Sequence, residues 1–247
     1  MILSNSILEI SKNNIVKNYN FFKNINKNTI CAATIKSNAY GLGAKEIYKL
    51  LLKNGCNHFF VATNQEGIEL RKKYKKGQIY ILNGMESNSL SLFKKYNLIP
   101  ILSNYNDYLR FENHSIKFGI QIDTGINRLG LNYDEFKRIS FKNKNLIIVL
   151  SHLASADEIK NPYNTTQLNK FIEIQNYNKK NKKIFTLSNS FGSVLSKKYL
   201  FGMIRPGICL YGGHHNNRIL KKNIKSVVKL KAKILQIKQL DKNRFVG

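Results

Sequence analysis

Short apolar segments rich in β-branched residues recur along the whole chain, and longer amphipathic segments separate them. This alternation is typical of repeated strand–helix units that build a parallel sheet. The predicted strands are Ile30–Ile35, His58–Ala62, Gln78–Leu82, Ile99–Ile101, Ile116–Ile122, Asn145–Ser151, Ile184–Ser188 and Phe201–Ile204. Eight units in 247 residues match the size of a TIM (β/α)8 barrel, which is typically about 250 residues. We therefore predict an α/β protein with a TIM barrel, and an open doubly wound sheet is the alternative.

The segments between these strands carry apolar residues at three- and four-residue spacing, which predicts helices on the outside of the barrel. The predicted helices are Ala44–Asn54, Gln65–Tyr74, Leu90–Tyr96, Asn132–Ile139 and Asn164–Asn178.

The pattern changes after Gly213. Residues 214–218 are polar and turn-like, whereas Val228–Ile234 alternates apolar residues with lysines. Such alternation predicts a half-buried strand. We therefore predict a barrel domain over residues 1–222, followed over residues 223–247 by the first strand of an incomplete β-rich domain. A lone strand there would expose an unpaired, partly apolar edge.

The chain carries a net charge of +27, from 41 lysines and arginines against 14 acidic residues. A clustered basic face would indicate nucleic-acid binding. Here, however, lysine is abundant from end to end, so we expect solvated surface charge and no specific nucleic-acid partner.

The three scattered cysteines fit a reducing compartment. No segment approaches the roughly 20 apolar residues of a membrane span. We expect a cytoplasmic protein that does not bind membranes.

Unusual polar segments follow the predicted strands, and in a TIM barrel the carboxyl ends of the strands form the catalytic rim. The first of these segments, residues 33–43, reads ATIKSNAYGLG and places Lys36 at the end of the first strand. A lysine at such a position, taken alone, is more often a rim charge than a nucleophile.

Four further segments follow later strands in the same way. They read DTGINRLG at residues 123–130, SHLASADE at 151–158, LSNS at 187–190 and RPGICLYG at 205–212. Together with the first segment they resemble, in order and approximate spacing, the motifs of the alanine racemase family. The resemblance implies a TIM barrel that binds pyridoxal 5'-phosphate and an isomerase that interconverts L- and D-alanine. In that family the product supplies peptidoglycan synthesis, and the enzyme is a head-to-tail homodimer.

The resemblance also implies roles for particular residues. Lys36 resembles the lysine that holds the cofactor as a Schiff base and then acts as one of two acid/base groups. Tyr40, Asn189, Ser190 and the backbone amides of Gly207 and Ile208 resemble residues that bind the cofactor, chiefly its phosphate. Amides at glycine turns and helix starts are suitable anion donors.

Three further residues complete the implied site. Arg205 resembles the arginine that faces the pyridine nitrogen of the cofactor. An arginine does not give up its proton, so it limits electron flow into the ring and favours reprotonation at Cα. A structural salt bridge is the alternative role. His152 resembles the histidine that stacks on the cofactor ring, although an isolated strand-end histidine is usually structural. Arg128 resembles a catalytic arginine that contacts cofactor and substrate. No metal ligand set is implied.

The chain departs from the family at three places. Gln121 stands where many members have a carbamylated lysine that supports the arginine matching Arg128, and Leu42 stands where a histidine is usual. No residue matches the second acid/base, a tyrosine of the β-domain. We therefore expect this chain to bind the cofactor and to racemise alanine poorly by itself. A non-catalytic, single-domain barrel that serves pyridoxal phosphate homeostasis is the alternative function.

Overall fold

The computed structural model describes residues 5–85, 90–177, 182–215 and 217–245. Seven parallel strands form one curled sheet in sequence order, each joined to the next by backbone hydrogen bonds. These strands are Ala33–Thr34, His58–Val61, Gln78–Ile81, Ile99–Leu102, Phe118–Gln121, Leu146–Leu150 and Ile184–Thr186.

The eighth strand, Met203–Ile204, closes the sheet. It pairs in parallel with Ile30–Cys31, which is the first half of the first predicted strand. On its other side, Gly202 N donates to Phe185 O and Arg205 N donates to Ser188 O. The protein is therefore an α/β protein with the TIM barrel that the strand pattern predicts. The open doubly wound sheet is wrong because the first and last strands are hydrogen-bonded to each other.

Helices cover the outside of the barrel. The helices are Lys12–Lys23, Ala44–Lys53, Asn64–Lys73, Leu90–Tyr96, Tyr105–Phe111, Tyr133–Lys137, Tyr163–Tyr177 and Arg218–Asn223, with 3-10 turns at Gly192–Val194, Lys197–Tyr199 and Ile208–Tyr211. All five predicted helices are present within a few residues of their predicted bounds. Asn178, the predicted end of one of them, lies outside the described residues. Within the described part of the chain, no helix is long and apolar enough to cross a membrane.

Two apolar clusters hold this arrangement together. The larger lies between the strands and the outer helices, where Tyr48, Phe111 and Phe171 are fully buried. The smaller fills the inside of the barrel and includes Phe60 and Ile148. Side chains that fill the barrel leave it as a packed core rather than a pore.

Gly119 marks how tightly the barrel interior is packed. A methyl group at this position would overlap Ile148 Cγ2 and would lie 2.7 Å from Ile101 Cδ1 and 3.1 Å from the carbonyl oxygen of Ile148. Overpacking a core by a methyl group typically costs about 1–3 kcal/mol. We expect Gly119→Ala to lower the free energy of unfolding by about that amount in urea denaturation. Gly202→Ala is the matched control, because its nearest neighbour would lie at 3.5 Å. Equal stabilities of the two variants would contradict this reading of the core.

The strand predicted over Val228–Ile234 is shorter than expected and is not alone. It covers Val228–Ala232 and pairs in antiparallel fashion with Ser6–Ile10, with Ser6 opposite Ala232 and Ile10 opposite Val228. We call this pair the terminal ribbon. The expectation of an unpaired edge is therefore wrong for the side that faces Ser6–Ile10. All ten residues of the ribbon remain exposed, so the half-buried face that the alternation predicts is absent here.

The segment before the ribbon packs on the barrel. The helix Arg218–Asn223, which the sequence pattern did not predict, begins at the last residue of the turn-like segment 214–218. Beyond it, Ile224 and Val227 are buried in the larger core cluster, and Ser11 N donates to Val227 O. The chain therefore stays in contact with the barrel up to the start of the ribbon.

Candidate active site

The backbone after the first barrel strand takes a rare conformation. Ser37, Asn38, Ala39 and Tyr40 have φ angles of 53°, 53°, 55° and 55°, which makes one turn of left-handed helix. Hydrogen bonds from Ala39 N to Ile35 O and from Gly41 N to Ser37 O, each 2.9 Å, close the turn. The left-handed conformation costs roughly 1–2 kcal/mol per residue for side chains other than glycine. Strain of this kind persists where surrounding contacts enforce it, and it concentrates at functional sites.

A cavity of about 440 Å³ opens at the carboxyl ends of the strands. Every site residue predicted from the sequence lines it: Lys36, Tyr40, Arg128, His152, Asn189, Ser190, Arg205, Gly207 and Ile208. These residues come from five separate strand ends, so the fold brings together groups up to 172 positions apart. Gln121 also lines the cavity.

Sequence reasoning missed eight further lining residues. They are Thr34, Phe60, Ala62, Leu82, Asn83, Leu129, Leu150 and Phe191. Most of them lie at or just after a strand end, which is the signal that could have found them.

One end of the cavity gathers hydrogen-bond donors around Gly207. Ser190 Oγ accepts hydrogen bonds from Gly207 N at 2.9 Å and from Cys209 N at 3.4 Å. A methyl group built on Gly207 would lie 2.5 Å from Tyr40 Oη, so the tyrosine hydroxyl packs directly against the glycine. Burial raises the pKa of Tyr40, which keeps its hydroxyl a donor. The Gly207 amide was predicted to face a ligand, but here it donates to Ser190.

Arg205 is the most deeply buried cation of the cavity. Its guanidinium donates to Thr186 Oγ1, to Ser151 O at 2.6 Å and to Leu187 O at 3.5 Å, while Nε has no acceptor among the described residues. Desolvation lowers the pKa of Arg205 to about 9. The described part of the chain contains no salt bridge to it, so the structural salt-bridge role does not apply there. A buried charge without a counterion is costly to retain.

His152 sits among three cations. Desolvation, followed by the charges of Arg205, Arg128 and Lys36, lowers its pKa to about 3. Its Nε2 lies 3.5 Å from Asn189 Nδ2. The imidazole is therefore neutral at physiological pH, presenting a flat, uncharged ring to the cavity.

This low pKa makes a testable prediction. We expect the Cε1 proton of His152 to show no titration shift in NMR spectra between about pH 5 and pH 8, with the signal assigned by its loss in His152→Gln. Because the folded-state pKa lies below the ordinary value of about 6.5, the unfolded chain binds the proton more tightly. Stability should therefore fall as the pH drops from about 6.5 to about 3, and less steeply in His152→Gln. A His152 signal titrating near neutrality would contradict the structure.

Arg128 lies on the loop after the fifth barrel strand. Its side chain is exposed at the cavity and has no hydrogen-bond or ion-pair partner among the described residues. Gln121 is buried, and its Nε2 donates to Leu129 O at 2.7 Å. Gln121 therefore steadies the backbone next to Arg128 rather than the guanidinium itself. Leu42, the other departure, packs against the larger core cluster.

Comparison with known proteins shows which family has this fold and cavity. The family model described as "Alanine racemase, N-terminal domain" matches residues 10–215. The chain belongs to the alanine racemase family. An alanine racemase of Rickettsia bellii is 38% identical over 234 residues, which is 90% of this chain and 56% of the relative. An alanine racemase of Rickettsia canadensis is 37% identical over 253 residues, which is 97% of this chain and 68% of the relative.

Solved structures agree with the family. The crystal structure of alanine racemase from Bartonella henselae with covalently bound pyridoxal phosphate is similar to this chain with a TM-score of 0.83 at 31% identity, covering 94% of this chain and 70% of that one. The family match includes the segments that carry all nine predicted site residues. The chain spans between about half and two thirds of the length of the curated relatives that it matches.

Proposed function

We propose that this protein binds pyridoxal 5'-phosphate through Lys36 and acts in the racemisation of alanine. The observation that carries the proposal is the assembly of nine family-matched side chains and amides around one cavity, with Lys36 at the end of the first strand. Lys36 forms no ion pair with a described carboxylate. Its ammonium nitrogen is therefore not committed to an ion pair within the described residues. The activity belongs to the longer relatives, so its assignment to this chain is part of the proposal.

The cavity fits this cofactor at both ends. The Tyr40 hydroxyl and the Ile208 amide, neither of which has an acceptor among the described residues, and the Ser190 hydroxyl would hold the phosphate. Arg205 would face the pyridine nitrogen with its unpartnered Nε–H, and His152 with Asn189 would lie against the ring. An uncharged imidazole suits a ring face better than an imidazolium would in this cationic site, because a further positive charge beside Arg205 is repelled.

When bound, pyridoxal phosphate supplies a covalent anchor for the amino acid and an acceptor for the electrons of the Cα–H bond. The chain's own residues do the rest. Lys36 Nζ takes the proton from substrate Cα on one face and can return it there. Arg205 keeps its own proton near neutral pH, since even its lowered pKa is about 9. Arg128, exposed and without a partner among the described residues, is placed to bind the substrate carboxylate as a charge-assisted donor.

The cofactor proposal is tested by mapping the attachment site. The protein is incubated with pyridoxal phosphate, reduced with borohydride and digested, and the modified peptide is identified by mass spectrometry. We expect the adduct on Lys36, complete loss of that adduct in Lys36→Ala, and no change in Lys45→Ala, a matched lysine on the exposed helix surface. An adduct spread over surface lysines, with none on Lys36, would refute the proposal.

Three finer features belong to the same proposal. We place the protein in the cytoplasm, as its three buried, unbridged cysteines favour, and assign its D-alanine to peptidoglycan synthesis. We divide the chain into a barrel over residues 1–222 and the start of a β-domain over residues 223–247. The second acid/base would come from a complete β-domain of a partner in a head-to-tail homodimer.

A further inference from the structure

The carboxylate of Glu66 joins the ends of the first two barrel strands. Its Oε1 accepts a hydrogen bond from Ser37 N at 2.6 Å, and its Oε2 accepts from Ala62 N at 2.7 Å and from Thr63 N at 3.3 Å. Ser37 directly follows Lys36, and Ala62 lines the cavity. We propose that Glu66 is a positioning residue. It keeps Lys36 in the orientation needed for its function by fixing the backbone at the ends of the first two barrel strands. This inference rests on the proposed role of Lys36.

The left-handed turn after Lys36 requires contacts from outside the turn to keep its conformation. Without them, Ser37, Asn38, Ala39 and Tyr40 would favour right-handed or extended backbone. At the far end of the turn, Asn38 Oδ1 accepts a hydrogen bond from Ala44 N at 2.8 Å. At the end next to Lys36, Glu66 is the one side chain from outside the turn that hydrogen-bonds to its backbone, within the residues that the structure describes. Releasing that bond frees the amide adjoining Lys36.

Glu66 is itself held in place by a helix cap. It occupies the third position of the helix Asn64–Lys73, where Thr63 Oγ1 accepts from Glu66 N at 3.3 Å and the glutamate carboxylate accepts from Thr63 N. This reciprocal arrangement is a capping box. In an ordinary capping box the carboxylate serves its own helix. Here Oε1 also accepts from Ser37 N at the end of the first barrel strand. The carboxylate that caps the helix therefore also fixes the residue after Lys36.

Glu66 acts through geometry rather than through its charge on Lys36. It forms no ion pair with any lysine or arginine among the described residues. All three of its partners are backbone N–H donors. A carboxylate offers an acceptor at both oxygens, whereas a glutamine offers one acceptor and one NH2 group, which would face another donor. Glu66→Gln must therefore lose the hold on one of the two strand ends.

The test uses the whole chain and three variants. Glu66→Gln removes one acceptor. Glu66→Asp keeps the charge and the acidic cap position but shortens the bridge by one methylene group. Glu69→Gln is the matched control, because it removes the same charge from the same helix at a residue that contacts Lys45 and Gln65 instead. Two measurements are made well below the melting temperature of each variant.

The first measurement is hydrogen exchange of the cofactor-free protein. The peptide that carries Ser37 is expected to exchange faster in both Glu66 variants than in the wild type or in Glu69→Gln. The second is the first-order rate at which Lys36 forms its borohydride-trapped adduct at saturating pyridoxal phosphate. We expect this rate to fall about 10- to 100-fold in both Glu66 variants, because small displacements of a reacting group have effects of that size. The half-saturating cofactor concentration should change less than the rate.

The outcomes separate the two proposals. If the wild type forms no adduct on Lys36, the proposed function fails and the role of Glu66 fails with it. If the wild type forms the adduct and both Glu66 variants form it at the wild-type rate, the cofactor site stands and the positioning role is overturned, even where hydrogen exchange is faster. Should Glu66→Gln not fold, the same comparison is made with Glu66→Asp.

Discussion

In deuterated water, the protein loaded with pyridoxal phosphate is expected to exchange the Cα hydrogen of one alanine enantiomer about 10²–10⁴-fold faster than it converts that enantiomer into the other. Exchange on one face needs a single acid/base, whereas racemisation needs proton removal on one face and delivery on the opposite face. Among the described lining residues, Lys36 is the group suited to the first task. His152 is a poor base with a pKa of about 3, and arginines retain their protons.

Proton NMR of D- and L-alanine, with optical analysis of the recovered amino acid, measures both rates in one sample. Lys36→Ala should abolish exchange, and Lys45→Ala should leave it unchanged. Racemisation as fast as exchange would show that a second acid/base lies within this chain. Adduct formation on Lys36 without any exchange would instead favour the non-catalytic, cofactor-carrying barrel.

Gly207→Ala is expected to weaken pyridoxal phosphate binding by about 10- to 100-fold, as loss of hydrogen bonds to a charged group would. The added methyl group would lie 2.5 Å from Tyr40 Oη and 3.3 Å from Thr34 Cβ. One of these neighbours has to move, and the tyrosine hydroxyl is the freer because it has no hydrogen-bond partner among the described residues. The Tyr211 ring, tilted by 37° with its centroid 4.9 Å from that of Tyr40, limits where the Tyr40 ring can move. The dissociation constant is measured by titrating the protein with cofactor and following absorbance.

A double-mutant cycle tells this displacement from a general loss of folding. If the methyl group acts by moving the Tyr40 hydroxyl, then Gly207→Ala should add little to the effect of Tyr40→Phe. Additive losses would show that the methyl group does not act through Tyr40, and unchanged binding in Tyr40→Phe would contradict the proposed contact between Tyr40 and the cofactor phosphate. Circular dichroism of the cofactor-free variants provides the check on folding.

The barrel strands could be predicted because each is a short apolar segment with polar segments on both sides. This pattern remains recognisable although the chain is rich in lysine and asparagine. Three of the outer helices were not predicted, Lys12–Lys23, Tyr105–Phe111 and Arg218–Asn223, and the first two show why. Lys12–Lys23 buries Ile15, Tyr19 and Phe22 at helical spacing, but lysines and asparagines occupy most of its other positions. Its start was signalled by Ser11, whose side chain accepts from Asn14 N. Tyr105–Phe111 is only seven residues long, too short for periodicity to identify.

Nine residues that line the cavity were predictable from long motifs, whereas the hydrogen bonds that hold them in place were not. Lys36 and Tyr40 belong to a recognisable string that includes Gly41 and Gly43, but nothing local indicates that the four residues between Lys36 and Gly41 take left-handed backbone. At its end next to Lys36 the turn is hydrogen-bonded by the carboxylate of Glu66, which lies 29 positions after Ser37. Likewise the bond from Gly207 N to Ser190 Oγ joins residues 17 positions apart. Such contacts exist only once the barrel has closed.

The terminal ribbon gives the described chain the topology of a ring. Ser6 lies opposite Ala232, and Lys233 N donates to Asn5 O at 2.8 Å, so two points 228 positions apart are hydrogen-bonded neighbours. A short turn could join Lys233 to Asn5 without disturbing any barrel strand, and the chain could then be opened at an exposed loop elsewhere. We therefore expect a chain permuted in this way to form the same barrel with its strand–helix units synthesised in a different order.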